Sequence, residues 1–201
     1  MQKSDLFAYL AAFVSIVLAV ALSDMVQSTH RLLRAGRKVR WDPLTPLLAF
    51  ITFLSVLSEF FGLWGDARFD RLTFYGLVGF MAVPTLQALV AFAVLPDDVP
   101  ENGLDLRRFY FDNRRYLVLL MSLMIPADFF RTIRWMTITG NLSNRDVWLL
   151  FGPVNSAQVM LLVVIYISRS WRVQLAALLL MLLLGHFAYG EWYIEPASAP
   201  S

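Results

Sequence analysis

The sequence predicts an all-α integral membrane protein built as a bundle of six transmembrane helices. Three observations support this fold class. Of the 201 residues, 58% are hydrophobic and 16% are charged, whereas a soluble domain is about a quarter charged. Six apolar runs are each about 20 residues long, which is the length that crosses roughly 30 Å of hydrocarbon. Lysine and arginine concentrate in alternate loops between those runs, as in multi-pass proteins.

The six runs form a single transmembrane domain, residues 1–195, which is followed by a short tail at 196–201. Segments this long must be helical in lipid, because an unpaired backbone amide has no water to bond there. The first run is too long for the apolar core of a cleavable signal peptide, so we expect a retained span. The predicted spans cover residues 6–26, 44–64, 72–95, 116–136, 147–168 and 173–193.

The distribution of basic residues predicts the orientation of the chain. The loops after spans one, three and five carry eleven lysines and arginines, and the opposite side carries six. Because the more basic loops stay on the cytoplasmic side, both termini are predicted to lie outside. The residues expected to contact anionic headgroups and fix this topology are Arg31, Arg34, Arg37, Lys38, Arg40, Arg107 and Arg108.

Several kinds of chemistry find no support in the sequence. The chain contains no cysteine, which excludes disulfides, thiolate metal sites and cysteine nucleophiles. Two isolated histidines do not form a zinc motif, and no nucleotide-binding or hydrolase motif occurs. The basic loops directly follow predicted spans, so they fit lipid headgroups better than nucleic acid. We therefore predict no cofactor, no metal and no nucleic-acid partner.

The fourth span contains charged residues where lipid-facing residues are expected. In PADFFRTIRW (126–135), Asp128 and Arg131 stand one helical turn apart and can pair on one face. Insertion scales put a central aspartate or arginine at about +2.5 to +3.5 kcal/mol. Two interpretations are about equally good: a self-paired polar face that holds the bundle together, or a functional site.

Other polar residues favour the functional interpretation. With alternating span directions, a set of polar side chains from four spans falls in the outer half of the bilayer. On span two, Glu59 shares a face with Ser55 and Gly62, which allow close helix approach. Each member also has a structural explanation, as helix glue or as an interfacial side chain. The predicted substrate or ion site consists of Glu59, Asp128, Arg131, Asn155 and His186.

Two patterns concern the packing of the spans. Span one has a small residue at every fourth position, which predicts a close helix seam within the bundle or between protomers. Those residues are Ala11, Ser15, Ala19 and Ser23. A shift of 104 residues aligns 23–31 with 127–135, which suggests a weak 3+3 inverted repeat. The matched identities are few, so chance similarity is the favoured explanation.

Two loop motifs carry a resemblance to known proteins. HRLLRAGRKVRW (30–41) follows the first span, and LPDDVPENGLDLRRFYFDNRRY (95–116) precedes the fourth. In these motifs and in the overall character of its sequence, the chain resembles a group of small bacterial multi-span proteins with no assigned activity. The resemblance implies a bacterial inner-membrane setting and assigns no functional residue. In that setting, termini on the outside, as the loop charges predict, would be periplasmic.

Three function classes remain open. The first is a small transporter or channel that uses the outer-half polar site. The second is a membrane scaffold or partner subunit in which the same residues are structural glue. The third is an intramembrane enzyme, which we do not favour because no nucleophile or metal set accompanies the carboxylates. The sequence favours transport slightly over the scaffold and does not name the substrate.

Overall fold

The structure is a computed structural model that describes residues 3–65, 74–140 and 145–189. The described part of the chain forms six α-helices, which confirms the all-α class. They are α1 (Lys3–Ala35), α2 (Leu44–Gly65), α3 (Phe74–Val94), α4 (Leu106–Thr139), α5 (Arg145–Ile167) and α6 (Trp171–Tyr189). Two short strands, β1 (Val39–Arg40) and β2 (Leu104–Asp105), pair in parallel.

Three of the described helices are long and apolar enough to cross a membrane. The candidate segments are Ala8–Lys38, Leu44–Gly62 and Leu77–Val94. Helices α5 and α6 contain shorter apolar stretches, Gly152–Ile167 and Trp171–Gly185. Large apolar side chains also cover the outside of the bundle: Tyr9 on α1 is 74% exposed, and Met160 on α5 is 69% exposed. Such an extended apolar surface is typical of a protein surrounded by lipid.

Each predicted span overlaps one described helix, while residues 72–73, 190–193 and the tail 196–201 lie outside the described part of the chain. Two helices extend well beyond the predicted limits. Helix α1 continues past residue 26 to Ala35, and α4 begins at Leu106 rather than near residue 116. Both extensions are rich in arginine, which lowers hydropathy but forms helix readily. The Asp105 carboxylate caps α4 by accepting the backbone N–H groups of Arg107 and Arg108, at 3.0 and 3.1 Å. Six membrane crossings remain a prediction.

Helix α2 lies at the centre of the bundle, in contact with α1, α3, α4 and α6. Helix α3 packs along α1 and α4, and α5 packs against α4 and α6. The connections 36–43, 95–105 and 168–170 meet at one end of the bundle. There β1 pairs with β2, and the Trp171 indole N–H donates to the Asp42 carboxylate at 3.0 Å. We call this the connector end.

The two halves of the bundle pack differently. Helix α1 packs extensively along α3, whereas the corresponding pair, α4 and α6, makes few contacts among the described residues. A 3+3 inverted repeat relates equivalent helices by symmetry and is expected to give them similar neighbours. The packing therefore adds no support to the repeat, which remains a prediction.

The small-residue ladder on α1 does not coincide with the buried face of that helix. The buried stripe consists of Val14, Leu18, Ala21, Met25, Ser28 and Leu32. Ala11 and Ser15 flank this stripe and are half-buried, whereas Ala19 and Ser23 are exposed. A ladder with four-residue steps turns by about 40° per step on a 3.6-residue helix, so it leaves the buried face. The predicted seam within the bundle is wrong for Ala19 and Ser23, and contact between protomers remains a prediction.

Candidate functional site

Two residues of the predicted polar site have described side chains, and both are drawn into the bundle. Glu59 is 6% exposed and lies on the central helix α2. Asn155 is half-buried on α5. Each of them takes part in at least one interaction with another group of the protein. A buried carboxylate on the central helix is the strongest feature that the sequence prediction and the structure share.

The other three predicted site residues are located by their backbones. Asp128 and Arg131 lie within α4 and His186 lies within α6, but their side chains lie outside the described part of the structure. The continuous helix over Leu106–Thr139 keeps Asp128 and Arg131 one turn apart, the spacing of the predicted pair. The meeting of these residues with Glu59 remains a prediction.

Glu59 belongs to a polar stripe on the buried face of α2. Thr45, Thr52 and Glu59 recur at seven-residue spacing and are 1%, 3% and 6% exposed. Seven residues are close to two helical turns, so the three side chains share one face. The Thr45 hydroxyl donates to the Leu106 carbonyl of α4, and the Thr52 hydroxyl donates to the Leu48 carbonyl, each at 2.9 Å. Sequence reasoning missed both threonines, although their spacing from Glu59 was visible.

Gln87 on α3 adds an unsatisfied polar group to the interior. Its side chain is 3% exposed, and its Oε1 atom has no hydrogen-bond partner among the described residues. Pro84 lies one turn earlier in the same helix. Because proline has no amide hydrogen, the Phe80 carbonyl loses its usual donor from the next turn. Sequence reasoning missed Gln87, since one uncharged glutamine in an apolar span carries no distinctive signal.

Thr52 and Gln87 lie at similar heights in the bundle. Helix α2 begins at Leu44 and α3 ends at Val94, both at the connector end. Counted from those residues, Thr52 lies about 12 Å along α2 and Gln87 about 10 Å along α3. The polar stripe of α2 and the unsatisfied amide of α3 therefore occupy neighbouring levels of the interior.

A second polar cluster, which the sequence did not predict, closes the connector end. Gln174 of α6 is fully buried, and its Oε1 accepts from the Tyr110 hydroxyl at 2.6 Å. Its Nε2 donates to the carbonyls of Ile165 and Ser168, at 2.9 and 2.7 Å. The Arg114 Nη1, on a side chain that is 5% exposed, donates to the same two carbonyls. Carbonyls at a helix C-terminus lack intrahelical donors, so these side chains cap α5.

Burial changes the acid–base behaviour of this cluster. Burial raises the pKa of the Tyr110 hydroxyl well above its ordinary value, and the nearby Arg114 charge lowers it by a smaller amount. The hydroxyl therefore stays protonated at neutral pH and remains a donor to Gln174. This arrangement suits a permanent structural tie between α4 and α6 better than proton transfer.

Carboxylates organise the outer layer of the connector end. Asp42 accepts the Leu44 backbone N–H at 3.1 Å through one oxygen and the Trp171 indole N–H at 3.0 Å through the other. Asp105 caps α4 and also forms an ion pair of 3.5 Å with Arg40. One aspartate thus links α2 to α6, and the other links the β1 segment to α4.

Some of the basic residues predicted to contact headgroups have partners within the protein. Arg31 donates to the Ser28 hydroxyl at 2.9 Å, and Arg108 pairs with Asp112 at 3.6 Å. The Arg107 guanidinium lies 5.8 Å from the centre of the Trp171 ring. Most of the Arg40 and Arg108 side chains nevertheless remain exposed, at 84% each. Contact of these residues with anionic headgroups remains a prediction.

Neither a metal cluster nor a known relative identifies the site. Among the residues that the structure describes, no group of three or more histidines, cysteines, aspartates or glutamates could hold a metal ion. No protein family, curated protein or solved structure matches this chain. The interpretation of the polar stripe therefore depends on its own chemistry.

Proposed function

We propose that this protein is a small transporter or channel of the bacterial inner membrane, with six crossings and a polar site in the outer half of the bilayer. In this arrangement the connector end is cytoplasmic and both termini are periplasmic. The excess of basic residues in the three connections supports the orientation. The three helices long and apolar enough to cross support the membrane location.

The burial of Glu59 on the central helix is the observation that carries the transport proposal. A carboxylate at the centre of a membrane helix costs about 2.5–3.5 kcal/mol on insertion scales. Glu59 is 6% exposed on α2, which contacts four other helices. An acid at such a position is by default a candidate for ion or substrate handling. Thr45 and Thr52 extend polar character from it towards the connector end.

The remaining members of the proposed site are expected at similar depth. Counted along the helices from the connector end, Glu59 lies about 22 Å along α2 and Asn155 about 18 Å along α5. Asp128, Arg131 and His186 join them in the proposal on the basis of the sequence pattern. Asp128 and Arg131 stand one helical turn apart, and the Arg131 guanidinium has enough donors to serve both its own helix and α2.

Ion flux into proteoliposomes tests the proposal. Liposomes that contain the protein are expected to pass at least one of Na⁺, K⁺, H⁺ or Cl⁻ faster than protein-free liposomes. Glu59→Gln is expected to lower this flux at least tenfold, and Glu59→Asp less. Asp24→Asn is the matched control, because Asp24 is a half-buried acid on α1 that is not part of the proposed site. Folding of each variant is checked by circular dichroism and gel filtration.

Two outcomes would contradict the transport proposal. One is the absence of protein-dependent flux for all four ions. The other is a flux that Glu59→Gln leaves unchanged. A folded but inactive protein whose Glu59→Leu variant is more stable would show that the buried carboxylate neither supports flux nor stabilises the bundle.

A membrane scaffold or partner subunit is the second candidate. The exposed positions Ala19 and Ser23 favour it, because small residues on a free helix face permit close approach of another helix. In the membrane such a contact would involve a second copy or another membrane protein. The enzyme class draws no support from the described residues.

A further inference from the structure

Charged residues divide the connector end into two sides. One side consists of residues 30–42 and 95–105, which the β1–β2 pair holds together. It carries five lysines or arginines and five aspartates or glutamates. A groove of about 360 Å³ is lined by residues of both signs, and the Arg40 guanidinium pairs with the Asp105 carboxylate at 3.5 Å. The basic loop after α1 is therefore balanced by acids of the protein itself.

The other side carries the excess of positive charge. It consists of residues 106–116 and 168–172, which contain six arginines and one aspartate. That aspartate, Asp112, already pairs with Arg108 on its own helix. Three of the remaining arginines are exposed and form no ion pair among the described residues. They are Arg115, Arg169 and Arg172, which we call the basic corner.

Contacts of α4 with the connection between α5 and α6 bring the basic corner together. The Arg114 guanidinium donates to the carbonyl of Ser168, the residue before Arg169. The Arg115 guanidinium lies over the Tyr166 ring, 5.7 Å from its centre. The third arginine of the corner lies in the first turn of α6. Guanidinium groups of like charge around one connection repel one another, and a bound anion relieves that repulsion.

The surroundings of the basic corner favour a lipid over a soluble anion. The apolar stretch of α5 ends at Ile167, and that of α6 begins at Trp171. Tyr166 and Ile167 are 48% and 70% exposed, so a large apolar surface adjoins the arginines. Aromatic and basic side chains lie together where hydrocarbon meets headgroups. Basic sites between helices on the cytoplasmic side bind anionic headgroups.

We propose that the basic corner binds the phosphate of an anionic phospholipid and is a stronger lipid contact than the loop after α1. The planar arginine fork matches the oxygens of a phosphate, and a guanidinium that lies over an aromatic ring keeps its donors free at the edge. The site rests on the crossings of α5 and α6 in the proposed function, and it does not depend on ion flux.

Lipid binding to the purified protein in a neutral detergent tests the basic corner, with native mass spectrometry as the readout. Phosphatidylglycerol is expected to bind in preference to phosphatidylcholine. The triple variant Arg115→Gln, Arg169→Gln, Arg172→Gln is expected to weaken phosphatidylglycerol binding by about tenfold or more, since each arginine near an anionic lipid contributes to the attraction. Should this variant fail to fold, Arg169→Gln alone is expected to weaken binding by about threefold.

The matched control removes the same amount of charge from the balanced side. It is the triple variant Arg34→Gln, Arg37→Gln, Lys38→Gln, whose three side chains are exposed and form no ion pair among the described residues. We expect it to weaken phosphatidylglycerol binding by less than about threefold, because acids of the connection 95–105 already offset these charges. Gel filtration checks the folding of both variants.

Three results would overturn the lipid site. One is equal binding of the two lipids, and another is an equal loss of binding in the two triple variants. The third is a soluble ligand: glycerol phosphate or polyglutamate that binds the basic corner as well as the lipid does would assign it to a soluble partner. Ion flux tests the transport proposal separately. Flux without lipid binding at the corner would end the lipid site alone, and lipid binding without flux would end transport alone.

Discussion

The connector end and the middle of the bundle each bury a glutamine, but they differ in the hydrogen bonds that the glutamine makes. Gln174 at the connector end is fully buried, and both ends of its amide are bonded to Tyr110 and to the end of α5. Gln87 in the middle of α3 is almost as buried, yet its oxygen has no partner among the described residues. Burial alone therefore does not tell what a polar residue does in this protein.

This difference in hydrogen bonding indicates that the two regions have different roles. At the connector end, hydrogen bonds from Thr45, Tyr110, Arg114 and Trp171 each reach a different helix or its cap. Those bonds leave Tyr110 and Gln174 little freedom to serve a ligand. In the middle, the buried Gln87 oxygen has no partner among the described residues. We interpret the connector end as a hydrogen-bonded base of the bundle, whereas a functional role for the middle remains a proposal.

The largest expected effect is on reporter activity at the termini, because the orientation of the two regions makes each reporter either active or silent. If the connector end is cytoplasmic, a periplasm-active phosphatase fused to either terminus is expected to be active. A reporter that works only in the cytoplasm is expected to be silent at both termini. Activity of a cytoplasmic reporter at one terminus only would mean an odd number of crossings. The proposed depth of the polar site would then fail as well.

The next largest effect is expected on the free energy of unfolding when each of the two glutamines is replaced by leucine. Gln174→Leu leaves the Tyr110 hydroxyl unpartnered in the core, so we expect it to lower the free energy of unfolding by about 2–4 kcal/mol. Gln87→Leu removes a group that is already unsatisfied. Gln87→Leu is therefore expected to change the free energy of unfolding by less than about 1 kcal/mol, or to raise it.

Reversible unfolding in mixed detergent, followed by circular dichroism, measures both glutamine variants. Similar losses for the two variants would show that Gln87 has a protein partner in solution. The contrast between the two regions would then disappear.

A smaller effect is expected from glycines at the two ends. Gly103 has φ +92°, and an added Cβ would lie 3.0 Å from the Lys38 carbonyl oxygen. Gly140, which follows α4 at the opposite end, has φ +74° and open space around it. A left-handed conformation costs a non-glycine residue about 1–2 kcal/mol. We expect Gly140→Ala to stay in that range and Gly103→Ala to exceed it by about 1 kcal/mol, since backbone must also move. Equal shifts of the unfolding midpoint for the two variants would mean that the backbone at Lys38 moves aside at little energetic cost.

The sequence predicted the helices well but not the side-chain hydrogen bonds between them. Long apolar runs specify membrane helices because each run must satisfy its own backbone hydrogen bonds in lipid. Gln87 and Gln174 look alike in the sequence, since each is an isolated amide in an apolar run. The Gln174 oxygen differs from that of Gln87 because it meets Tyr110, which is 64 residues away in the sequence. No periodicity within one helix encodes such a contact.

The predicted polar site was found in part for the same reason. Glu59 stood out because a carboxylate in an apolar run is costly and therefore conspicuous. Thr52 and Gln87 are inexpensive side chains in a helix, so only their burial and, for Gln87, the missing partner of its oxygen distinguish them. The arginine-rich stretch before span four indicates an interfacial helix or turn, and the structure shows it as the start of α4. Hydropathy separates lipid from water and does not separate helix from loop, so it could not predict one continuous helix.

The smallest effect is expected on the free face of α1. Ala19 is exposed and lies away from the buried stripe that includes Val14 and Leu18. A larger side chain there meets lipid rather than another helix of the chain, so Ala19→Leu is expected to change the unfolding midpoint of the monomer by less than about 2 °C. Ala21→Leu, on the buried stripe, is the matched control and is expected to lower the midpoint by several degrees through overpacking.

Size-exclusion chromatography with light scattering in mild detergent then separates the remaining possibilities. An unchanged monomer for Ala19→Leu places this face against lipid. A wild-type dimer that Ala19→Leu dissociates identifies the small residues as a contact between protomers, and it would show that the functional unit contains more than one copy.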